Sequence, residues 1–183
     1  MCFARKCCWL LLPLFLVACG NMMDDLNPSS SDKRPSVQPG TTGPAVGQNA
    51  PDFTLSDTLG NNVTLSSVVP TVQGVVMYFT MWCPICDSDM SHMQSTTIPA
   101  FPNVRFYAVD YVSGTVADAR NAEISNGFDG SGFTVLADTQ QTVLGLYQAT
   151  MGITVVIDRT GVVRMNELYK DGSRLQTVLS NLP

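Results

Sequence analysis

Two cysteines separated by two residues are the part of this sequence best suited to chemistry. The segment reads Trp82-Cys83-Pro84-Ile85-Cys86, and a thiolate in such a pair can attack a disulfide and then be displaced by its neighbour. A helix beginning at Pro84 would place free amide groups and the positive end of its dipole beside Cys83, which favours the thiolate. Cys86 would lie one turn deeper and be more shielded. The spacing therefore predicts that Cys83 attacks and Cys86 resolves.

Two other uses of the pair follow from the residue types. A static structural disulfide is compatible with an oxidising compartment. A zinc site needs about four ligands, but the other four cysteines lie within the first nineteen residues and His92 is the single histidine. At about 100° per residue, His92 lies about 180° around the helix from Cys83, so we expect a surface or packing role for it. We predict no metal and no other cofactor.

The first eighteen residues have the pattern of a secretory signal peptide. Arg5 and Lys6 precede an apolar run at residues 9–18, which is shorter than the roughly 20 residues of a transmembrane helix. Leu16-Val17-Ala18-Cys19 resembles the bacterial lipobox, which implies cleavage after residue 18 and lipidation of Cys19. Acyl chains contribute about 0.8 kcal/mol per buried methylene. No Asp follows Cys19, so we predict an anchor on the periplasmic face of the outer membrane, with a soluble secreted protein as the alternative.

Composition limits the partners and the domain count. The 183 residues carry 10 Lys+Arg and 15 Asp+Glu, a net charge of −5, and nucleic-acid binding needs a basic surface instead. Loss of residues 1–18 would remove two basic residues and bring the net charge to −7. Residues 19–47 are rich in Pro, Ser and Gly, which predicts a lipidated N-terminus and a flexible tether. Residues 48–183 are long enough for one domain.

The hydrophobic pattern of this domain predicts an α/β fold with a mixed central sheet flanked by helices. Alternating apolar residues around Gly60-Asn61 predict an N-terminal hairpin, and a second turn signal lies at residues 158–161. Apolar runs predict buried strands at 74–79, 104–109, 135–137, 153–157 and 162–168. Helices are predicted at 84–93, 115–126, 139–148 and 173–182.

Several segments together resemble the AhpC/TSA and TlpA/ResA-like branch of the thioredoxin superfamily. They are residues 46–55, 60–65 and 82–86, with residues 157–162 matching the late strand and hairpin of that branch. The resemblance covers about residues 46–183 and implies a thioredoxin fold with an extra N-terminal β-hairpin and thiol–disulfide oxidoreductase activity. It also implies Cys83 as nucleophile, Cys86 as resolving thiol and Trp82 as the aromatic flank.

Two positions depart from the pattern of that family. Its cis-proline, which faces the cysteine pair and binds substrate backbone, corresponds to Gly152 here. A cis bond without proline costs about 2.5–4 kcal/mol, so we expect a trans bond and name Met151, Gly152 and Ile153 as substrate-loop candidates. Thioredoxins also place a buried acid six residues before the first cysteine, where this chain has Met77. Asp110 is the candidate substitute as proton acceptor.

The sequence thus predicts a membrane-anchored thiol–disulfide oxidoreductase outside the cytoplasm, acting as a reductase or isomerase of protein disulfides. Its partners would be protein disulfides or thiols and an electron donor that restores the dithiol. A peroxiredoxin-like peroxidase is the alternative, because Thr80-Met81-Trp82-Cys83 matches Thr-x-x-Cys, although Val76 stands where a proline is expected. A lipoprotein that uses the fold only for binding, with its cysteines locked in a disulfide, is a third hypothesis.

Overall fold

A computed structural model describes residues 37–183. The predicted signal peptide, the lipidation candidate Cys19 and the tether up to residue 36 lie outside the described residues. Over the described range the chain forms seven strands and six α-helices. The strands are β1 (Thr54–Asp57), β2 (Asn62–Thr64), β3 (Gly74–Thr80), β4 (Val104–Asp110), β5 (Phe133–Ala137), β6 (Ile153–Asp158) and β7 (Val163–Leu168). The helices are α1 (Leu65–Val68), α2 (Pro84–His92), α3 (Ile98–Ala100), α4 (Val116–Ser125), α5 (Thr142–Leu146) and α6 (Ser173–Ser180).

The seven strands form one mixed sheet in the order β2-β1-β5-β4-β3-β6-β7. The inner strands β5, β4 and β3 are parallel to one another, and the segments that connect them carry the helices α2 and α4. The outer pairs, β1 with β2 and β6 with β7, are antiparallel hairpins. This confirms the predicted α/β class, the mixed sheet and the extra N-terminal hairpin.

Strand β3 is buried along its whole length because helices and loops cover both of its faces. Its side chains alternate between two hydrophobic cores, as the period of two in a strand requires. The first core holds Tyr78, Cys86 and buried residues of α2 and α6, namely Met90, Leu175 and Leu179. The second core holds Val75, Met77 and Phe79 of β3 with Val143 and Tyr147 from the α5 region. Met77, which stands where thioredoxins have a buried acid, therefore lies in this apolar second core.

The helix predicted at 139–148 is shorter than expected. Helix α5 begins at Thr142 because the carboxylate of Asp138 accepts hydrogen bonds from the backbone N–H groups of Thr142 at 2.9 Å and Leu144 at 2.8 Å. Gln141 and Gln148 both have a positive φ, 54° and 50°, which lies outside the α-helical region. The polar turn at the start and the left-handed residue at the end limit the helix to five residues.

The last part of the predicted tether is bound to the sheet. The N–H of Gly47 donates to the carbonyl of Val163, and the N–H of Val163 donates to the carbonyl of Gln48, both at 2.9 Å. The side-chain amide of Asn166 donates to the carbonyl of Pro44 at 3.0 Å. The folded unit thus includes residues before 48, because backbone groups of residues 44–48 pair with β7 instead of with water.

Candidate active site

The two cysteines lie where the end of β3 meets the first turn of α2. Cys83 has extended backbone angles, φ −97° and ψ 162°, and its sulfur accepts a hydrogen bond from the backbone N–H of Cys86 at 3.3 Å. Pro84 occupies the first helical turn, where its missing N–H removes no hydrogen bond of the helix. Cys83 therefore caps α2, and the positive end of the helix dipole lies beside its sulfur.

The sulfur atoms of Cys83 and Cys86 are 2.7 Å apart, and both residues are free thiols in the structure. Cys83 is partly exposed, whereas Cys86 has no exposed surface. Two sulfurs this close can form a disulfide with little rearrangement of the backbone. Only Cys83 is therefore accessible to another molecule.

The acidity of the two thiols differs in the opposite sense to the sequence prediction. Burial and the hydrogen bond with Cys86 raise the pKa of the Cys83 thiol. Burial also acts to raise the pKa of the Cys86 thiol, but the hydrogen bonds from Cys83, from the backbone amide of Met81 and from the Thr80 hydroxyl lower it overall. The amides at the start of α2 thus act on both sulfurs, and the lower pKa of the pair is that of Cys86.

Thr80 ends β3 and is fully buried. Its hydroxyl oxygen accepts a hydrogen bond from the backbone N–H of Trp82 at 3.1 Å and is among the groups that lower the pKa of Cys86. The sequence match to Thr-x-x-Cys paired this hydroxyl with Cys83. In the structure it acts on the buried sulfur.

Trp82 is held by the carboxylate of Asp110. The indole Nε1–H donates to Asp110 Oδ2 at 2.8 Å, and the same carboxylate accepts the backbone N–H groups of Val112 and Ser113 and the Ser113 hydroxyl. Trp82 has a positive φ of 57°, which orients its ring toward Phe128 with the ring centres 6.2 Å apart. With four donors bound, Asp110 positions the aromatic flank. The expectation that it replaces the missing proton acceptor stays a prediction.

The loop of Met151, Gly152 and Ile153 packs beside the exposed thiol. Met151 Sδ lies 3.3 Å from Cys83 Sγ. Gly152 has φ +79°, its N–H donates to the carbonyl of Phe79 at 2.9 Å, and its own carbonyl accepts the N–H of Tyr169 at 2.8 Å. A Cβ at position 152 would lie only 3.0 Å from the Leu168 side chain, so glycine suits both the backbone angle and the space. Among residues 37–183 no peptide bond is cis, as expected for this loop.

Two residues near the sulfurs, Tyr78 and Tyr111, were missed by the sequence analysis. The hydroxyl of Tyr78 donates to Asp89 Oδ2 at 2.9 Å, and burial, Asp89 and Cys86 raise its pKa. Tyr111 follows β4, and burial together with the charges of Cys86 and Cys83 raises the pKa of its hydroxyl. The signal available in the sequence was the spacing of Cys86 and Asp89, since residues three apart share a helix face.

His92 lies away from the sulfurs, at the end of α2. Its Nδ1 is 2.6 Å from the hydroxyl of Tyr169, and the two rings contact edge to face with their centres 6.2 Å apart. This is the packing position that the helical angle predicted. Among residues 37–183 no group of three or more His, Cys, Asp or Glu side chains is placed to hold a metal ion.

The pattern of this domain is that of a known family. A model of the AhpC/TSA family matches residues 46–166 of the chain. The chain belongs to the AhpC/TSA family. One relative is the thiol-disulfide oxidoreductase ResA of Geobacillus thermodenitrificans. It is 30% identical to this chain over 126 residues, which cover 67% of this chain and 69% of ResA. The AhpC/TSA protein is thus a thiol–disulfide oxidoreductase of the thioredoxin superfamily, as the sequence predicted.

Solved structures share the fold of the AhpC/TSA protein. The thioredoxin domain of a thiol-disulfide oxidoreductase from Bacteroides vulgatus has a TM-score of 0.61 at 22% identity, covering 76% of this chain and 99% of that domain. Peroxidoxin BcpB from Mycobacterium tuberculosis has a TM-score of 0.59 at 21% identity, covering 75% of this chain and 95% of BcpB. At these identities the likeness establishes the thioredoxin fold and confirms that prediction. Over residues 37–183, the AhpC/TSA protein has no helix with the length and hydrophobicity needed to cross a bilayer.

Proposed function

We propose that this protein exchanges disulfides with protein substrates through Cys83 as nucleophile and Cys86 as resolving thiol. The observation that carries the proposal is the contrast between a partly exposed Cys83 sulfur and a buried Cys86 sulfur 2.7 Å away. Access decides the roles, because a substrate disulfide can reach only the first of the two. The assignment therefore rests on access and not on acidity, because the pKa of Cys86 is the lowered one of the pair.

In the reducing direction, the first step uses the hydrogen shared by the pair. Transfer of that proton from Cys83 to Cys86 across 2.7 Å produces the Cys83 thiolate. This thiolate attacks a substrate disulfide, forms a mixed disulfide and releases one substrate thiolate, which takes a proton from water. Cys86 then loses its proton and attacks the Cys83 sulfur, forming the internal disulfide and releasing the second substrate thiolate. Two electrons pass to the substrate, and a separate electron donor restores the dithiol.

The surface around Cys83 supports a protein substrate. Met81 and Ile85 flank the cysteine motif and are exposed, and Trp82 and Met151 pack against the first core beside it. Apolar side chains exposed around a reactive thiol favour contact with an apolar segment of another chain. We infer that an unfolded or extended segment that carries a disulfide is the form of substrate that this surface accepts.

A peroxidase is the second candidate, and the match to peroxidoxin BcpB is the observation that favours it. Peroxide would oxidise the Cys83 thiolate to a sulfenic acid with loss of hydroxide, and Cys86 would condense with it to release water. Against this, the Thr80 hydroxyl acts on Cys86, whereas a peroxide bound at Cys83 would need a donor there.

A competition between two oxidants tests the proposal. We expect the pre-reduced protein to be oxidised faster by a protein disulfide such as that of insulin than by an equal concentration of hydrogen peroxide, as followed by thiol titration. A Cys83→Ser variant serves as the control for oxidation elsewhere in the chain. Oxidation by peroxide that is faster by orders of magnitude would establish the peroxidase and contradict the proposal.

We also propose that the protein acts outside the cytoplasm, held by a lipid on Cys19 to the periplasmic face of the outer membrane. The basis is the signal pattern of residues 1–18 and the lipobox-like Leu16-Val17-Ala18-Cys19. We expect the protein to fractionate with the outer membrane of a bacterial host and the Cys19→Ser variant to lose lipidation and leave that fraction, as followed by immunoblotting. Unchanged fractionation of the variant would contradict the anchor.

A further inference from the structure

The resolving step requires a proton acceptor other than the two cysteines. When Cys83 is part of a mixed disulfide, it carries no hydrogen and can no longer share one with Cys86. Cys86 has no exposed surface, so water does not reach its sulfur directly. Asp110 is occupied by Trp82, Val112 and Ser113, and the thioredoxin-type acid position is Met77. Another group must accept the proton before Cys86 can attack.

The structure places a tyrosine and a carboxylate next to this buried thiol. The Tyr78 hydroxyl is fully buried on β3, in the same core as Cys86, and donates to Asp89 Oδ2 at 2.9 Å. Cys86 and Asp89 are three residues apart on α2 and therefore lie on one face of that helix, toward β3. Asp89 itself is only half-buried, so it connects this chain of groups to solvent.

We propose that Tyr78 and Asp89 form a proton relay that deprotonates Cys86 in the resolving step. The inference rests on the proposed function, because it concerns the second half of the same disulfide exchange. The proton of Cys86 passes to the Tyr78 oxygen while the Tyr78 proton passes to Asp89 Oδ2, so that the tyrosine remains neutral. The Cys86 thiolate then forms the bond to Cys83, and Asp89 returns the proton to water. When the electron donor reduces the internal disulfide, the relay runs in the opposite direction.

The electrostatic surroundings of Asp89 support this role. The titratable groups that act on it or on its relay partner are Cys86 and His92 from its own helix, Tyr78 from β3 and Tyr169 from the segment after β7. Burial raises the pKa of Asp89, although the Tyr78 hydrogen bond and His92 oppose that shift. A carboxylate with a raised pKa accepts a proton more readily than an ordinary surface aspartate. Burial and the charge of Asp89 raise the pKa of Tyr78, so it can only pass a proton on and not lose one.

Rapid mixing of the reduced full-length protein, in detergent, with a disulfide whose two thiols are spectroscopically distinct tests the relay. The first released thiol reports attack by Cys83, and the second reports resolution by Cys86. We expect Tyr78→Phe and Asp89→Asn to leave the first phase unchanged and to slow the second by about tenfold or more. In the unaltered protein the second phase should slow as falling pH protonates Asp89. In Asp89→Asn the rate of the second phase should not depend on pH in this range.

Tyr169→Phe is the matched control, because it removes a buried hydroxyl from the same core but one that is bound to His92. Should Tyr78→Phe fail to fold, Asp89→Asn, a change of similar size at a half-buried site, carries the test alone. A second phase with the rate and pH profile of the unaltered protein in a folded relay variant would overturn the relay. Equal slowing by Tyr169→Phe would overturn it too, by assigning the effect to packing. If the unaltered protein shows neither phase, the proposed function itself fails.

Discussion

Replacing Cys83 by serine is expected to abolish disulfide exchange, whereas replacing Cys86 by serine should leave the first step intact and trap the substrate. Cys83 is the thiol that a substrate can reach, and a serine hydroxyl does not attack a disulfide at neutral pH. In Cys86→Ser the Cys83 thiolate still forms the mixed disulfide, but no thiol lies 2.7 Å away to displace it. Non-reducing mass spectrometry should show a stable covalent adduct for Cys86→Ser and none for Cys83→Ser.

The reverse result would exchange the two roles. The pKa of Cys86 is the lowered one of the pair, so a nucleophile chosen by acidity alone would be Cys86. An adduct trapped by Cys83→Ser but not by Cys86→Ser would mean that acidity outweighs access and that α2 opens to expose the buried sulfur. The double variant, which should form no adduct, controls for reaction at other sites.

Replacing Asp110 by alanine is expected to lower the free energy of unfolding by about 3 kcal/mol, because it leaves several donors unsatisfied near the end of β4. The carboxylate is fully buried and accepts from the Trp82 indole and from Val112 and Ser113. Urea denaturation measures the loss. Trp82 is the only tryptophan beyond residue 18, so its fluorescence after processing reports release of the ring directly.

Asp129→Ala is the matched control for this variant. Asp129 is an exposed carboxylate that ion-pairs with Arg120, and such surface pairs contribute little to stability. The rate of the resolving step in Asp110→Ala, measured under conditions where the variant is folded, should stay close to that of the unaltered protein. A stable variant with a slow resolving step would contradict the positioning role and restore Asp110 as the proton acceptor.

The parts of the fold that could be predicted from the sequence are those that depend on neighbouring residues in the chain. The apolar run at 74–79 predicted β3 to within one residue, and Pro84 marked the start of α2. The helix predicted at 139–148 was too long at both ends. The Asp138 carboxylate binds the N–H of Thr142, where the helix begins, and Gln148 beyond its end has a left-handed backbone conformation. Capping by a nearby polar side chain is a local effect, but the spacing of apolar residues alone does not predict it.

The parts of the site that could not be predicted depend on contacts between distant segments. The sequence identified Cys83, Cys86 and Trp82, which are adjacent in the chain. It did not pair Tyr78 with Asp89 or Trp82 with Asp110, because these pairs join residues 11 and 28 positions apart. The pKa of Cys86 is the lowered one of the pair because the Thr80 hydroxyl and the Met81 amide act on it, and these contacts form only when β3 and α2 are packed together.

The alternation of side chains along β3 also has a consequence for how this protein can change over generations. Tyr78 points to the core that holds Cys86, while Met77 and Phe79 point to the other core. Substitutions at buried second-core positions of β3 such as Met77 are therefore expected to alter resistance to heat and proteolysis more than the sulfur chemistry. Heritable variation can accumulate there without changing which partners oxidise or reduce the protein. The same layer is the place for an engineer to raise Tm while the redox potential stays as it is.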